Sequence, residues 1–165
     1  FYDWVEPLLG HPHWAVVPDV IGAESFEQFK MMKRWPFSKK LAKPVFHIHL
    51  EDSYLCRLIH EDFGGICFGS SGEYWDLSSD AWARRIDYLF NVIVREFGQV
   101  PWIHMLRAMK NASEGPWPFA SADSTNCALH HSEFCCPENL TRKIDRRNPS
   151  TKWNGGNMDL FEVAA

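Results

Sequence analysis

The sequence predicts an α/β fold built on parallel strands. Five short apolar runs recur along the chain: WAVVPDV (14–20), PVFHIHL (44–50), GICFGSS (65–71), VPWIHML (100–106) and PWPFASAD (116–123). Each has strand length and begins at or near a Pro or Gly. Their near-continuous apolar character suits strands covered on both faces, as in parallel sheets. Helical periodicity fills the gaps between them, and strand–helix–strand alternation is the signature of right-handed βαβ units.

The elements follow in order. FYDWVEPLL opens the chain in helical style and without an initiator Met, which reads as a fragment of a longer protein. The run 14–20 is the first strand. Residues 24–35 then space Phe26, Phe29, Met32 and Trp35 as a helix. The second strand, 44–50, carries His47 and His49, which lie two apart and so share a side. Tyr54, Leu55, Leu58 and Ile59 mark a helix over 51–60. The third strand, 65–71, ends in a Gly-rich turn. SSDAWARRIDYLFNVIVREFG is the clearest helix, with Ser79 as N-cap and Gly98 as C-terminal stop. Its apolar stripe is Trp82, Ile86, Leu89, Phe90, Ile93, Val94 and Phe97. The runs at 100–106 and 116–123 supply the last two strands. Residues 1–136 form the main unit. Residues 137–165 form a tail: a short polar helix begun by Pro137, a loop, and an anchor at Leu160 and Phe161.

The chain has 165 residues, 45% of them hydrophobic, which is enough for one domain with a core. Eight Trp and twelve Phe supply large buried areas or stacking surfaces for flat ligands. The net charge of −4 excludes a strongly basic nucleic-acid footprint over the whole chain. Local basic runs (Lys30, Lys33, Arg34, Lys39, Lys40; Arg142, Lys143, Arg146, Arg147) read as solvated helix faces, with a phosphate-contacting patch as the alternative. Five cysteines without CxxC spacing point to a reducing cytoplasm. No run reaches the length of a membrane span, so no membrane partner is expected.

In βαβ folds ligands sit at the carboxyl ends of the strands. Those ends carry Asp19; His47 and His49; Gly69, Ser70 and Ser71; His104; and Asp123. Asp123 fits an N-cap, or a carboxylate nucleophile able to hold a covalent glycosyl intermediate. Asp19 fits a turn acid after Pro18, or a two-oxygen acceptor for the ring N–H and exocyclic amine of guanine. The two strand histidines fit a satisfied buried pair, or groups pointing into a polar site. The GICFGSSGEYW turn lacks the GK[ST] of a phosphate loop but allows close backbone approach. Cys127, His130, His131, Cys135 and Cys136 are candidate zinc ligands, but their spacing matches no standard set, so no metal cofactor is favoured.

Taken in order, AVVPDV, PVFHIHL, GGICFGSSGEYW, PWIHMLRAM and PFASADSTN resemble the phage and prophage relatives of the queuine tRNA-guanine transglycosylases. These include proteins that place 7-deazaguanines in DNA. The likeness runs from about residue 1 to 126, and more weakly through RKIDRRNPSTKW. ICFGSSGEYW and FASADSTN are its specific parts. The resemblance implies a TIM-type (β/α) barrel, here partial, with about five parallel strands and the N-terminal strands missing. It implies base exchange, guanine for a 7-deazaguanine in DNA or tRNA. Asp123 matches the nucleophile that attacks C1′. Asp19 matches the carboxylate on the purine edge. His49 stands near a position that faces the base, Gly69 and Ser70 match the strand end whose backbone reads it, and Glu73 matches a glutamate behind that turn. His47 and His104 are further candidates.

Two departures matter. The family's zinc-ligand spacing is absent, and its general acid/base aspartate would lie upstream of Phe1. Missing strands, or a partner chain, would then complete the barrel. Two other readings compete. One is a non-catalytic nucleobase- or nucleic-acid-binding remnant of the fold. The other is a metal-dependent barrel hydrolase using His47, His49, His104 and Asp123.

Overall fold

The computed structural model describes residues 1–124. The tail assigned to 137–165, the candidate zinc ligands and the second basic run lie outside them. All five apolar runs contain a strand. The strands are β1 (Ala15–Val16), β2 (Ala42–Lys43), β3 (Val45–His47), β4 (Ile66–Gly69), β5 (Ile103–Met105) and β6 (Ser121–Ala122). The helices are α1 (Tyr2–Val5), α2 (Ser25–Met32), α3 (Asp52–His60), α4 (Asp80–Phe97) and α5 (Met109–Glu114). A helix therefore separates β1 from β2, β3 from β4, β4 from β5, and β5 from β6.

Every pairing is parallel. β1 pairs with β2, and a second sheet runs β3-β4-β5-β6. The count of strand segments exceeds the expected five because the stretch 42–47 is divided. Pro44 separates β2 from β3 and brings no N–H to a ladder. The stretch nonetheless bridges the two sheets: the Lys43 carbonyl accepts from Val17 N–H at 3.0 Å, and the Pro44 carbonyl from Cys67 N–H at 2.9 Å. Strands that are neighbours in space are thus neighbours in sequence, with no reversal of order among the described strands.

Period-two alternation divides the strand side chains between two faces. Phe46, Ile48, Ile66, Phe68, Ile103, Met105 and Phe119 join the apolar cluster under the helices. They meet Leu55 and Leu58 of α3 and Trp82, Ile86, Leu89, Phe90 and Ile93 of α4, all fully buried. Phe68 touches three rings, with centroids at 5.5 Å (Phe46), 6.1 Å (Phe90) and 6.4 Å (Phe119). The alternate residues, His47, Cys67 and His104, are buried on the opposite face.

α4 forms as its sequence requires. Ser79 Oγ accepts from Trp82 N–H at 3.1 Å, capping the first turn, and Gly98 ends the helix in the left-handed region at φ 72°. Its predicted stripe faces the core except for Val94, which is exposed. In α2, Met32 is buried but Phe26 lies in solvent. The first basic run is a solvated face, as the sequence suggests. Lys33 and Lys39 pair with Glu61 at 2.6 and 2.7 Å, and Lys40 with Asp62 at 2.7 Å. Among the described residues no helix is long and apolar enough to cross a membrane.

Two substitutions calibrate this core. Phe68→Ala is expected to cost about 3–5 kcal/mol, as truncation of a fully buried ring does. Ser79→Ala should cost about 1 kcal/mol, the usual worth of an N-cap. Urea unfolding of both variants measures the difference.

Candidate functional site

The carboxyl ends of the parallel strands gather one connected set of polar groups. Asp19 follows β1 by a short extended segment containing Pro18. Its Oδ2 lies 2.6 Å from His47 Nε2, at the end of β3. His47 Nδ1 lies 3.1 Å from Ser71 Oγ, and His49 Nδ1 lies 2.8 Å from the same oxygen. An ionised carboxylate only accepts, so Asp19 fixes a proton on His47 Nε2. With a single proton on that ring, Ser71 donates to His47 Nδ1 and can accept from His49 Nδ1–H.

Two glycines make room for these rings. A Cβ on Gly69 would sit 3.2 Å from His47 Nδ1. A Cβ on Gly72 would sit 3.1 Å from His49 Cβ and Cγ, at φ +60°, a conformation suited to glycine. The Gly-rich turn thus serves its neighbours: the missing side chains are space for imidazoles.

Ser70 points the other way, into the helix layer, where its Oγ accepts from the Trp82 indole N–H at 2.8 Å. Its carbonyl accepts from the Arg107 guanidinium at 3.1 Å. Arg107, just beyond β5, holds φ 60°, uncommon for a residue with a side chain. In that conformation its backbone N–H donates to Asp123 Oδ1. Arg107 therefore links the ends of β4, β5 and β6. It aims the carboxylate of Asp123, which is itself exposed.

Glu73 lies in the short 3-10 turn Gly72–Tyr74 and is exposed. Its charge favours the protonated form of His49, as does that of Glu24. Burial outweighs them and, with the His47 and Arg85 charges, holds the His49 pKa below its usual value. A cleft of about 470 Å³ opens at His49, lined also by Glu24, Glu51, Asp52, Tyr74 and Arg85.

His104 lies toward the middle of the same face. Its Nδ1 is 2.7 Å from Ser121 Oγ, and its ring stacks on Trp102 with 6.1 Å between centroids. Burial lowers its pKa and the Lys43 charge adds to this, against the opposing pull of Asp123. Lys43 Nζ sits between two indoles, 4.0 Å from the Trp14 ring and 4.2 Å from that of Trp102. Deeper still, burial pushes the Cys67 thiol up to about 12, and the charges of Asp123 and Asp19 both add to the rise. Both carboxylates thus act on the same buried atom.

The sequence-predicted residues divide accordingly. Asp19, His47 and His49 come together. Gly69 lies against them, Asp123 stands at the end of β6, at the opposite edge of the sheet from β3, and Glu73 flanks His49. The Ser70 hydroxyl is committed to Trp82, so only its backbone remains for a ligand. Ser71 and Arg107 were given no role by sequence reasoning. Ser71 stood in the strand-end set without a partner, and the unusual backbone of Arg107 left no mark in the residue pattern.

His47 has both ring nitrogens engaged, so the arrangement gives no support to a metal-dependent hydrolase. Among the described residues no group of three or more His, Cys, Asp or Glu side chains is arranged to hold a metal ion. No family model matches the chain, and no curated protein or solved structure matches it.

The lowered pKa of His104 has a definite sign in stability. The folded state resists protonation more than the unfolded chain does. The contribution is therefore fully present above the ordinary histidine pKa of about 6.5, and it is lost as pH falls through the folded value. Urea midpoints should fall on acidification below that point, and His104→Gln should flatten the fall. An unchanged slope in the variant would contradict the assignment.

Proposed function

We propose that the protein exchanges a nucleobase, guanine for a 7-deazaguanine, in DNA or tRNA, through a covalent glycosyl intermediate on Asp123. The observation that carries this reading is the contrast between two carboxylates that each lie beyond the carboxyl end of a parallel strand. Asp19 is half-buried and anchored by an imidazole. Asp123 is exposed and, among the described residues, its carboxylate accepts from the Arg107 backbone N–H. The first is built to hold; the second is free to attack.

In the proposed reaction Asp19 Oδ1 and the remaining lone pair of Oδ2 accept from the guanine N1–H and amine. Asp123 attacks C1′ as the C1′–N9 bond breaks, and the electron pair leaves with the purine. The incoming base then displaces Asp123 from C1′, so two inversions retain the configuration. Backbone groups at Gly69 and Ser70, together with His49, border the base. Exposed Trp75, just past the 72–74 turn, offers a flat ring for stacking. The unreversed order of parallel strands supports a TIM-type barrel wall, in which such a site lies at the C-terminal face. The reading places the reaction in the cytoplasm and needs no metal ion.

Labelled 7-deazaguanine and guanine-containing DNA or tRNA, incubated with the protein, test the proposal. Wild type should incorporate label. Asp123→Asn should lower the rate roughly a thousandfold or more, as loss of a nucleophile does. Equal incorporation by both would remove Asp123 from the reaction.

A further inference from the structure

We propose that Asp19, His47, Ser71 and His49 act together as a proton store for base exchange, filled from the cleft at His49. Its destination rests on the base-exchange reading; its existence rests on geometry alone. Base exchange needs such a group. The departing purine must take up a proton, and the incoming base must give one up, at nearly the same place. Neither carboxylate supplies it: Asp123 is bonded to C1′ between the two half-reactions, and Asp19 accepts from the N1–H and amine edge of the base.

The contacts form an unbroken line: Asp19 Oδ2 to His47 Nε2 at 2.6 Å, His47 Nδ1 to Ser71 Oγ at 3.1 Å, and Ser71 Oγ to His49 Nδ1 at 2.8 Å. The central member is a hydroxyl, which can donate and accept at once. Gly69 and Gly72 leave the space that lets both rings reach it. The two ends differ. His47 is buried, whereas His49 lines the open cleft.

Loading moves one proton inward. His49, protonated from water in the cleft, passes its Nδ1 proton to Ser71 Oγ while the Ser71 hydroxyl proton passes to His47 Nδ1. His47 becomes an imidazolium beside the Asp19 carboxylate, and His49 is left neutral with its proton on Nε2. During exchange the C1′–N9 electron pair goes to the purine as the Asp123–C1′ bond forms. His49, which borders the base, gives its Nε2 proton to the purine; its Nδ1 takes the Ser71 hydroxyl proton, and Ser71 Oγ takes the Nδ1 proton of His47, which returns to neutral. The incoming base returns a proton by the same route when it attacks C1′. The full cycle consumes no proton.

Charged groups bias this store from several sides. Asp19 faces His47 from the end of β1. Glu24, Glu73, Arg85 and His47 itself act on His49. Tyr54 of α3 feels the Asp19 charge, and its own phenol is held neutral mainly by burial. A proton placed on His47 faces the Asp19 carboxylate at 2.6 Å, whereas burial disfavours one on His49.

Nitrogen-15 NMR of the histidine rings across a pH series tests the store directly, on wild type, Ser71→Ala and Ser71→Thr. Neutral His47 should carry its proton on Nε2 in wild type. Ser71→Ala should shift the His47 midpoint by about half a pH unit or more and change the tautomer of His49, while Ser71→Thr restores both. Unchanged midpoints and tautomers in Ser71→Ala, with its circular dichroism intact, would overturn the proposal. The pH profile of base exchange should move in Ser71→Ala in step with the NMR midpoint. A shifted midpoint with an unmoved profile would also overturn it. Wild type that exchanges no base would refute the base-exchange reading and with it the store's destination, whereas the NMR series separately decides whether the store exists.

Discussion

The hydrogen bond between Asp19 and His47 joins the end of β1 to the end of β3, and the polar side of the structure is organised around it. The two side chains come from strands in different sheets, and only the divided stretch 42–47 connects those sheets through the backbone. A half-buried carboxylate is costly unless its charge is met, and an imidazole at 2.6 Å meets it. Once His47 is turned toward Asp19, its other nitrogen must face Ser71. Glycines at 69 and 72 favour this arrangement, because a Cβ at either would crowd an imidazole at 3.1–3.2 Å.

The sheet keeps two kinds of chemistry apart. On the helix side, aromatic and branched residues fill a continuous core from Phe46 to Phe119. On the other side, beside the buried Cys67 thiol, the buried histidine and lysine side chains are partnered: His47 by Asp19 and Ser71, His104 by Ser121 and Trp102, Lys43 by two indoles. A one-residue slip of a strand would exchange the faces and bury histidines among phenylalanines. Register and site geometry are therefore one constraint. Trp82 spans the layers, giving its ring to the core and its N–H to Ser70 at the head of β4.

Much of this was legible in the sequence, and particular residues explain why. Ser79, Gly98 and the stripe from Trp82 to Ile93 define α4 almost to the residue, because caps and periodicity are local signals. The apolar runs located the strands because parallel strands hide both faces. The strand β2 was hidden, since Ala42–Lys43 lies just before the apolar run that begins at Pro44. So was the role of Arg107, whose left-handed backbone no composition implies. Ser71 was visible as a residue but not as a bridge, because bridging depends on His47 at the end of β3 and His49 in the turn beyond it. The Gly-rich turn was read as a place of close backbone approach; that Gly69 and Gly72 also leave room for His47 and His49 was not visible, because those rings come from elsewhere in the chain.

A double-mutant cycle on Asp19→Asn and His47→Gln tests the central claim most directly. Unfolding free energies of wild type, both single variants and the double variant give the coupling between the two side chains. The account predicts a coupling of about 1–3 kcal/mol, in the range of a charge-assisted hydrogen bond shielded from water. Additive losses, with coupling below about 0.3 kcal/mol, would mean that the strand ends are held by the core alone. The Asp19–His47 contact would then organise nothing.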